Sequence, residues 1–365
     1  MTDRLRVLVA GWLNSPHVVA WVEAVSAGGH EVYVAGRTAP QWPESELAAN
    51  VHRLPASGPP LVRGLRMSRA LAGIAASVRP DLVHAHWLPE FGWMASREGL
   101  SPLVCSAWGS DVLLLRGVGR RRSKKALDGA DLVLASSAHL ARASRALAGR
   151  DVPVEIVRWG LDFERFSPGN RVAAREALGL GADGPLIVNV RGFDDVYNPV
   201  LLLEAFARVK AMRPDARLLF KHTLAGVPGE IEAAVQRFAL DGAVAILGRG
   251  EGEMSDVYRA ADVVVSVSSS DSSPRSVWEA LACGRPVVIS DLPWARDELV
   301  ADHHALFVPL EAGPIADAIG SVLDDASLAR RLEEEARARA LEELDVSASV
   351  ERIDALYRSV LKAAR

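Results

Sequence analysis

The chain has 365 residues, which is too long for one ordinary hydrophobic core, so we expect two domains. Apolar residues make up 49% of the chain and charged residues 24%, values typical of a globular protein and not of a disordered one. The net charge of -4 argues against general nucleic-acid binding. The two cysteines, Cys105 and Cys283, lie in apolar segments, which predicts buried thiols and a reducing, cytoplasmic location.

Strand-like apolar runs alternate with helical patterns along the chain. The predicted strands of the first half cover residues 6–11, 31–36, 82–87, 102–108, 131–137 and 154–159. Those of the second half cover residues 185–190, 216–221, 243–248, 262–268, 286–290 and 305–309. Because nearly all are continuously apolar, they predict parallel strands covered on both faces, and the helices between them predict βαβ units. No apolar stretch approaches the ~18 residues of a membrane span, so we expect none.

The fold class that follows is α/β, with two doubly wound, Rossmann-like domains facing a central cleft. We expect an N-terminal, acceptor-binding domain over residues 1–165 and a linker over 166–182, where a short helical pattern is flanked by Pro and Gly. A nucleotide-sugar-binding domain is expected over 183–345, followed by a C-terminal helix over 346–365 that packs back toward the first domain. Ligands of open α/β sheets bind beyond the carboxyl ends of the strands, so the expected site is the cleft.

One stretch, "SSSDSSPRSVWEALACGRPVV" at residues 268–288, carries the chemistry. Pro274 suits the first turn of a helix, and Ser272 or Ser273 is the expected N-cap. The backbone N–H groups of residues 273–277 would then point at a ligand phosphate, helped by the helix dipole.

Two acids in this stretch indicate that the ligand has hydroxyl groups as well as a negatively charged group. Asp271 would repel a phosphate unless it served a neighbouring hydroxyl, and Glu279 lies far enough into the helix to reach a second set of hydroxyls. A phosphate flanked by two hydroxyl-bearing groups describes a nucleotide sugar. A capping aspartate beside an ordinary helical glutamate is the alternative, and the stretch alone leaves it open.

The spacing acid-x7-acid of Asp271 and Glu279, with the following "EALACGRPVVISD", resembles the signature of retaining GT-B glycosyltransferases of the large group 4 family, which use nucleotide-sugar donors. Four other stretches resemble further segments of that family in the same order: "GGHEVYVAG", "RPDLVHAHW", "VRWGLDFERFSP" and "YRAADVVVSVS". The resemblance covers nearly the whole chain. In that family the first acidic position of the motif is usually Glu. The side chain of Asp271 is one methylene shorter.

The resemblance implies that an Arg and a Lys neutralise the departing diphosphate without a metal ion. Arg191 fits the Arg position, whereas the Lys position falls at Tyr197 or Asn198, so Lys221 is the candidate replacement. Arg191, Lys221 and Asp271 are the expected catalytic residues. The expected donor-binding residues are Gly11, Arg191, Lys221, Arg249, Asp271, Ser272, Ser273, Pro274, Arg275, Ser276, Val277 and Glu279.

The expected acceptor-side residues come from the first half of the chain. Trp108 stands where the family has a His near the transferred sugar, and Asp111 is the nearest polar substitute or else a turn aspartate. His84 and His86 lie on one face of a predicted strand, where either contacts the acceptor or is a structural histidine. The acceptor-side candidates are His17, His86, Trp87, Trp108 and Asp111.

A dense run of cations is the remaining surface feature. Arg120, Arg121, Arg122, Lys124 and Lys125 fall within six residues of a chain whose net charge is negative. They predict either a solvated helix face or contact with an anionic acceptor, carrier or membrane surface. Three further arginines at helical spacing, Arg63, Arg66 and Arg69, extend this pattern.

We therefore expect a retaining, metal-independent glycosyltransferase that moves a sugar from a UDP- or GDP-type donor to an acceptor hydroxyl. The expected acceptor is a small molecule or is lipid-linked or carrier-bound, and no cofactor or nucleic acid is expected. A nucleotide-sugar epimerase or a phosphorolytic enzyme on the same fold is the first alternative, and a non-catalytic sugar- or nucleotide-binding module is the second. The acid pair together with Arg191 argues against the second alternative, because a non-catalytic module has no need of all three.

Overall fold

The computed structural model describes residues 4–37, 50–158, 160–222 and 227–364, and the chain forms two compact units. The first unit combines residues 1–160 with 346–365, and the second comprises residues 161–345. Each unit is an α/β structure built on one parallel sheet, which confirms the predicted α/β class with two Rossmann-like domains.

The first unit contains a seven-stranded parallel sheet in the order β3-β2-β1-β4-β5-β6-β7. Its strands are β1 (Arg6–Ala10), β2 (Glu31–Gly36), β3 (Val51–Arg53), β4 (Leu82–His86), β5 (Leu103–Ser106), β6 (Leu132–Ala135) and β7 (Val154–Ile156). The strand order reverses between β1 and β4, and the carboxyl ends of strands at such a switch point are where open α/β sheets bind ligands. The three-residue β3 was not predicted, because it is too short to give a pattern.

In the described part of the first unit, six helices connect these strands: α1 (Pro16–Ala27), α2 (Pro60–Val78), α3 (Trp93–Arg97), α4 (Ser110–Leu113), α5 (Gly117–Gly129) and α6 (Ala138–Leu147). A π-helical turn over Trp87–Gly92 leads into α3. The buried side chains of α1 pack on one face of the sheet, and those of α2 to α6 pack on the other. Both faces are therefore covered, as the continuously apolar strands require.

The second unit contains a six-stranded parallel sheet in the order β10-β9-β8-β11-β12-β13, which reverses between β8 and β11. Its strands are β8 (Leu186–Asn189), β9 (Arg217–Lys221), β10 (Val244–Leu247), β11 (Val263–Ser266), β12 (Val287–Ser290) and β13 (Leu306–Val308). Its helices are α7 (Arg171–Ala177), α8 (Pro199–Met212), α9 (Gly229–Arg237), α10 (Met254–Ala260), α11 (Arg275–Ala282), α12 (Pro293–Glu298), α13 (Ala312–Asp324) and α14 (Ala326–Glu343).

The predicted linker, residues 166–182, lies inside the second unit and corrects the expected boundary. Its helix α7 begins at a regular N-cap, where the side chain of Asn170 accepts hydrogen bonds from the amides of Val172 and Ala173. The buried guanidinium of Arg175 then donates to the carbonyl of Ala260 and to the carboxylate of Asp262. These contacts hold the segment against α10 and the start of β11.

The last helix, α15 (Val346–Ala363), belongs to the first unit. Tyr357 of α15 is fully buried, and its hydroxyl accepts a 2.7 Å hydrogen bond from the indole N–H of Trp21 in α1. The same hydroxyl lies 2.7 Å from Nδ1 of His84 in β4. The end of the chain therefore completes the face of the first sheet that α1 covers. Across the described ranges, no helix is both long and apolar enough to cross a membrane.

Candidate active site

The switch point of the second sheet brings together the turns that follow β8 and β11. Asn189, the last residue of β8, fixes this arrangement with both ends of its side-chain amide. Its Oδ1 accepts a 3.0 Å hydrogen bond from the amide of Arg191, and its Nδ2 donates to the carbonyl of Val265 in β11 over 2.9 Å. The sequence therefore positions Arg191 at the carboxyl edge of the sheet through a buried polar link between neighbouring strands.

The guanidinium of Arg191 has three partners in the second unit. Nη2 forms a 2.8 Å ion pair with Oδ2 of Asp271, and Nη1 donates to Oγ of Ser276 over 2.9 Å. The guanidinium carbon lies 4.4 Å from the ring centroid of Tyr197, a cation–π distance. The two charged side chains are only 12% and 14% exposed, so their electrostatic interaction is weakly screened by solvent. Arg191 is thus a rigid, oriented cation at the expected ligand edge.

The start of α11 differs from its predicted form. The residue before the helix is Pro274 in an extended conformation, and no side chain caps the helix. The expected cap Ser273 has a positive φ of 51°, and its hydroxyl donates to Glu298 over 2.6 Å and accepts from the indole of Trp278. Those two partners occupy the hydroxyl that a cap would need.

Two backbone amides near the start of α11 donate to protein groups. The amide of Val277 donates to the carbonyl of Pro274 over 3.0 Å, so it belongs to the first helical turn and is not available to a ligand, which corrects the prediction. The amide of the buried Ser272 donates to Oδ1 of Asp271 over 3.0 Å. Both carboxylate oxygens of Asp271 therefore have partners, one in the loop and one on Arg191.

Glu279 is buried inside α11 and is held by two side chains. Oε2 accepts a 2.8 Å hydrogen bond from the hydroxyl of Tyr258, and Oε1 accepts from Nε of Arg275 over 2.9 Å. Burial, and next the charge of Glu279, raise the pKa of Tyr258 well above its ordinary value, so this hydroxyl stays a donor. Tyr258 was missed in the sequence because it lies 21 positions before Glu279, a spacing that shows no periodic relationship.

Lys221 ends β9, the neighbour of β8, and therefore lies at the same carboxyl edge of the sheet as Arg191. Its Nζ donates to the carbonyl of Gly248, and burial lowers the pKa of the amine. Within the described residues, the side chains of Lys221 and Arg191 form no hydrogen bond with each other. Arg249 follows in the exposed turn after β10.

The acceptor-side candidates cluster at the carboxyl edge of the first sheet, around three tryptophans that follow β1, β4 and β5. We call Trp12, Trp87 and Trp108 the tryptophan cluster. Their ring centroids are 5.1 Å apart between Trp12 and Trp87, 5.6 Å between Trp12 and Trp108, and 5.9 Å between Trp87 and Trp108. All three are half-buried, so this edge presents an aromatic surface. Trp12 was missed in the sequence, although it follows directly after the first strand and glycine.

Two histidines adjoin the tryptophan cluster. The imidazole of His17 packs against Trp108 at 5.2 Å, and Nδ1 of His86 accepts a 3.4 Å hydrogen bond from the indole of Trp108. His86 also stacks on His84 at 4.4 Å. Burial lowers the pKa of His86 to about 3, so this imidazole is neutral at physiological pH.

Asp111 and Gly11 have structural roles at the same edge. The fully buried carboxylate of Asp111 accepts hydrogen bonds of 2.9 to 3.1 Å from the amides of Leu88, Trp108 and Gly109, which tie the β4 and β5 turns together. This geometry favours the turn interpretation. Gly11, expected to bind the donor, lies in the first unit, where an added Cβ would come within 2.7 Å of Val18 in α1.

Comparison with known proteins identifies the family. Residues 170–339 match the family model described as glycosyl transferases group 1, and residues 6–137 match the model described as glycosyl transferase 4-like. A D-inositol 3-phosphate glycosyltransferase of Saccharomonospora viridis is 31% identical over 80% of this chain and 76% of its own length. One of Mycolicibacterium vanbaalenii is 30% identical over 68% of this chain and 61% of its own length.

Solved structures agree on the fold. Sucrose-phosphate synthase from Thermosynechococcus elongatus matches with a TM-score of 0.85 and 22% identity, covering 99% of this chain and 100% of that one. HepE of Anabaena in complex with UDP-glucose matches with a TM-score of 0.82 and 18% identity, covering 98% and 100%. The family models and the curated relatives show that the chain belongs to the group 1 glycosyl transferases, enzymes that transfer a glycosyl group.

Proposed function

We propose that this enzyme transfers a hexosyl group from a uridine diphosphate sugar to an acceptor hydroxyl, with retention of anomeric configuration and without a metal ion. The observation that carries the proposal is the oriented guanidinium of Arg191, paired with Asp271 and Ser276 at the carboxyl edge of the second sheet. A second guanidinium, that of Arg275, lies at the start of α11 beside Glu279. HepE, which shares the fold, has been solved with UDP and with UDP-glucose, which supports a uridine donor.

In this proposal Arg191 and the start of α11 neutralise the departing diphosphate, and Lys221 adds a further charge at the same sheet edge. Preorganised charges of this kind stabilise the developing negative charge and need no reorganisation during the reaction. The bond between the anomeric carbon and the diphosphate oxygen breaks, and a bond to the acceptor oxygen forms on the same face of the sugar. The acceptor proton passes to the departing diphosphate.

The remaining roles follow from position. Glu279 accepts hydrogen bonds from ribose hydroxyls, and Asp271 both orients Arg191 and lies beside the transferred sugar. The tryptophan cluster in the first unit provides the acceptor surface, because a sugar or polyol ring can pack its apolar face on an indole. Inositol phosphates are the first acceptors to screen, since the curated relatives are named for D-inositol 3-phosphate. The buried thiols of Cys105 and Cys283 support a cytoplasmic location.

The experiment is to screen nucleotide sugars against inositol phosphates and simple sugars, and to determine the anomeric configuration of the product by NMR. Retention of the donor configuration, with turnover unchanged by a chelator, is the expected result. Inversion would contradict the proposed geometry, and loss of turnover that magnesium restores would contradict the metal-free scheme. Conversion of the donor without any acceptor would favour an epimerase.

A further inference from the structure

The α2 helix carries an exposed stripe that begins apolar and continues basic. Val62, in its first turn, is 50% exposed. Arg66 and Arg69 follow at positions four and seven residues on, so they share its face of the helix, and both are exposed. α2 contains no acidic residue. Neither arginine forms an ion pair with any of the described residues.

The α5 helix repeats this pattern. Val118, in its first turn, is 64% exposed, and the exposed side chains of Arg121 and Lys125 follow three and seven residues on. Leu114, just before the helix, is 44% exposed. The helix has one acidic residue, Asp128, whose carboxylate pairs with Lys124 at 2.5 Å. The other cations of α5 form no ion pair with any residue that the structure describes.

The two stripes belong to one surface. Trp93 of α3 lies between the helices, and the guanidinium of Arg122 in α5 lies 4.2 Å from its ring centroid. On the other side, Trp93 faces the buried Gly64 of α2, where a Cβ would be 3.6 Å from its ring. α2 and α5 pack on the same face of the first sheet, with Leu71 and Leu127 in its core. Each stripe lies on the opposite, outward side of its helix, so the two stripes face outward from one layer of helices. We call Val62, Arg66, Arg69, Val118, Arg121 and Lys125 the α2–α5 surface.

The orientation of this surface relates it to the acceptor side. A helix that connects two parallel strands runs antiparallel to them, so it begins near the carboxyl edge of the sheet. Both α2 and α5 connect strands of the first sheet in this way. Their first turns, with Val62 and Val118, therefore lie toward the edge where the tryptophan cluster is found.

We propose that the α2–α5 surface docks the enzyme on a bilayer that contains anionic lipids. Exposed apolar side chains beside uncompensated cations are the pattern of interfacial membrane-binding helices, whose apolar groups enter the headgroup boundary while the cations contact lipid phosphates. A soluble polyanion would require the cations but not the two exposed valines. The chain as a whole is negatively charged, so this positive surface sets the orientation of approach.

The test is co-sedimentation of the full chain with vesicles of phosphatidylcholine alone and with about one-third phosphatidylglycerol, at about 0.1 M salt. We expect binding only to the anionic vesicles. Arg121→Ala with Lys125→Ala should weaken the partition roughly 25-fold, since each cation near an anionic surface contributes about fivefold. Val62→Asp with Val118→Asp should abolish binding. These side chains are exposed, so an unchanged Tm is expected and shows that the variants remain folded.

A matched control uses an exposed valine and an exposed arginine of the second unit, Val172→Asp with Arg330→Ala, which should leave vesicle binding unchanged. Equal binding of the α2–α5 variants and the wild-type chain would overturn the proposal. So would binding of the wild-type chain to heparin but not to anionic vesicles, which would assign the cations to a soluble anionic partner. Vesicle binding requires no turnover, so its failure is distinguishable from failure of the proposed reaction.

Discussion

Arg191, which follows β8, and Asp271, which follows β11, form a 2.8 Å ion pair where the strand order of the second sheet reverses. Both side chains are largely buried, and Ser276 of α11 is the second partner of the arginine. The pair therefore fixes a cation, an acid and the start of a helix at one sheet edge.

Arg191→Ala should lower kcat about 10²- to 10³-fold, because one preorganised donor to the leaving group is lost. It should also destabilise the second unit by about 3–5 kcal/mol, since the buried Asp271 carboxylate loses its counter-ion. Steady-state kinetics and urea unfolding measure the two effects. Arg171→Ala is the control, because Arg171 forms a 2.5 Å pair with Asp262, which lies before β11 at the opposite end of the strand. A wild-type kcat in Arg191→Ala would exclude the proposed role.

Glu279→Gln should weaken nucleotide binding by about 1.5–3 kcal/mol, the contribution of a hydrogen bond to a charged group. The amide keeps the size of the side chain, so the variant should stay folded. Tyr258→Phe is the informative comparison, because it removes the hydroxyl that holds Glu279 while leaving its charge in place. A smaller loss than in Glu279→Gln is expected. If Glu279→Gln bound nucleotide as well as the wild-type protein, the carboxylate would be purely structural.

Lys221→Ala should also reduce kcat by about 10²- to 10³-fold, provided that the amine contacts the diphosphate. The double variant with Arg191→Ala should lose less than the sum of the two free energies, because both charges act on one group. The structure supplies a competing role, since the Lys221 amine donates to the Gly248 carbonyl. A Lys221→Ala enzyme with wild-type kcat and lower Tm would assign Lys221 to that structural role.

The first unit should lose stability as the pH falls below 6.5, the ordinary pKa of a histidine side chain. Burial lowers the pKa of His86 to about 3 and that of His84 well below 6.5, so the unfolded chain takes up protons there that the folded chain does not. At pH values between its folded-state pKa and 6.5, each such histidine lowers the free energy of unfolding by about 1.4 kcal/mol per pH unit of acidification.

The titration of Asp111 has the opposite effect on the stability of the first unit. Burial raises its pKa to about 6 from the ordinary 3.8, so between those values the folded chain holds a proton that the unfolded chain has released. Acidification in this window therefore stabilises the fold through Asp111 and offsets part of the histidine effect. Urea unfolding at several pH values should show a steeper acid loss in Asp111→Asn than in the wild-type chain. Identical slopes would contradict the assignment.

Much of the fold was predictable because its determinants are local. Continuously apolar runs predicted twelve of the strands, and β3 escaped because three residues carry no periodicity. Arg191 and Asp271 were identified individually, since each follows a recognisable strand. Their ion pair was not predicted, because it joins residues 80 positions apart.

The start of α11 shows why other features of the site could not be predicted from the sequence. Local rules favour Ser273 as an N-cap. Its hydroxyl instead bonds to Glu298, 25 residues away, and to Trp278. Tertiary partners of this kind override a local preference that is worth only about 1 kcal/mol. The tryptophan cluster is similar, because its members follow three different strands and only the sheet order brings them together.

The most direct test of the central claim, that Arg191 and Asp271 mark the diphosphate site, is calorimetric titration of UDP into the wild-type chain, Arg191→Ala and Arg171→Ala. We expect the wild-type chain and Arg171→Ala to bind UDP equally, and Arg191→Ala to bind it about tenfold or more weakly, since a charged hydrogen bond contributes about 1.5–3 kcal/mol. Equal affinity of all three proteins for UDP, or binding by none of them to UDP, GDP or ADP, would contradict it.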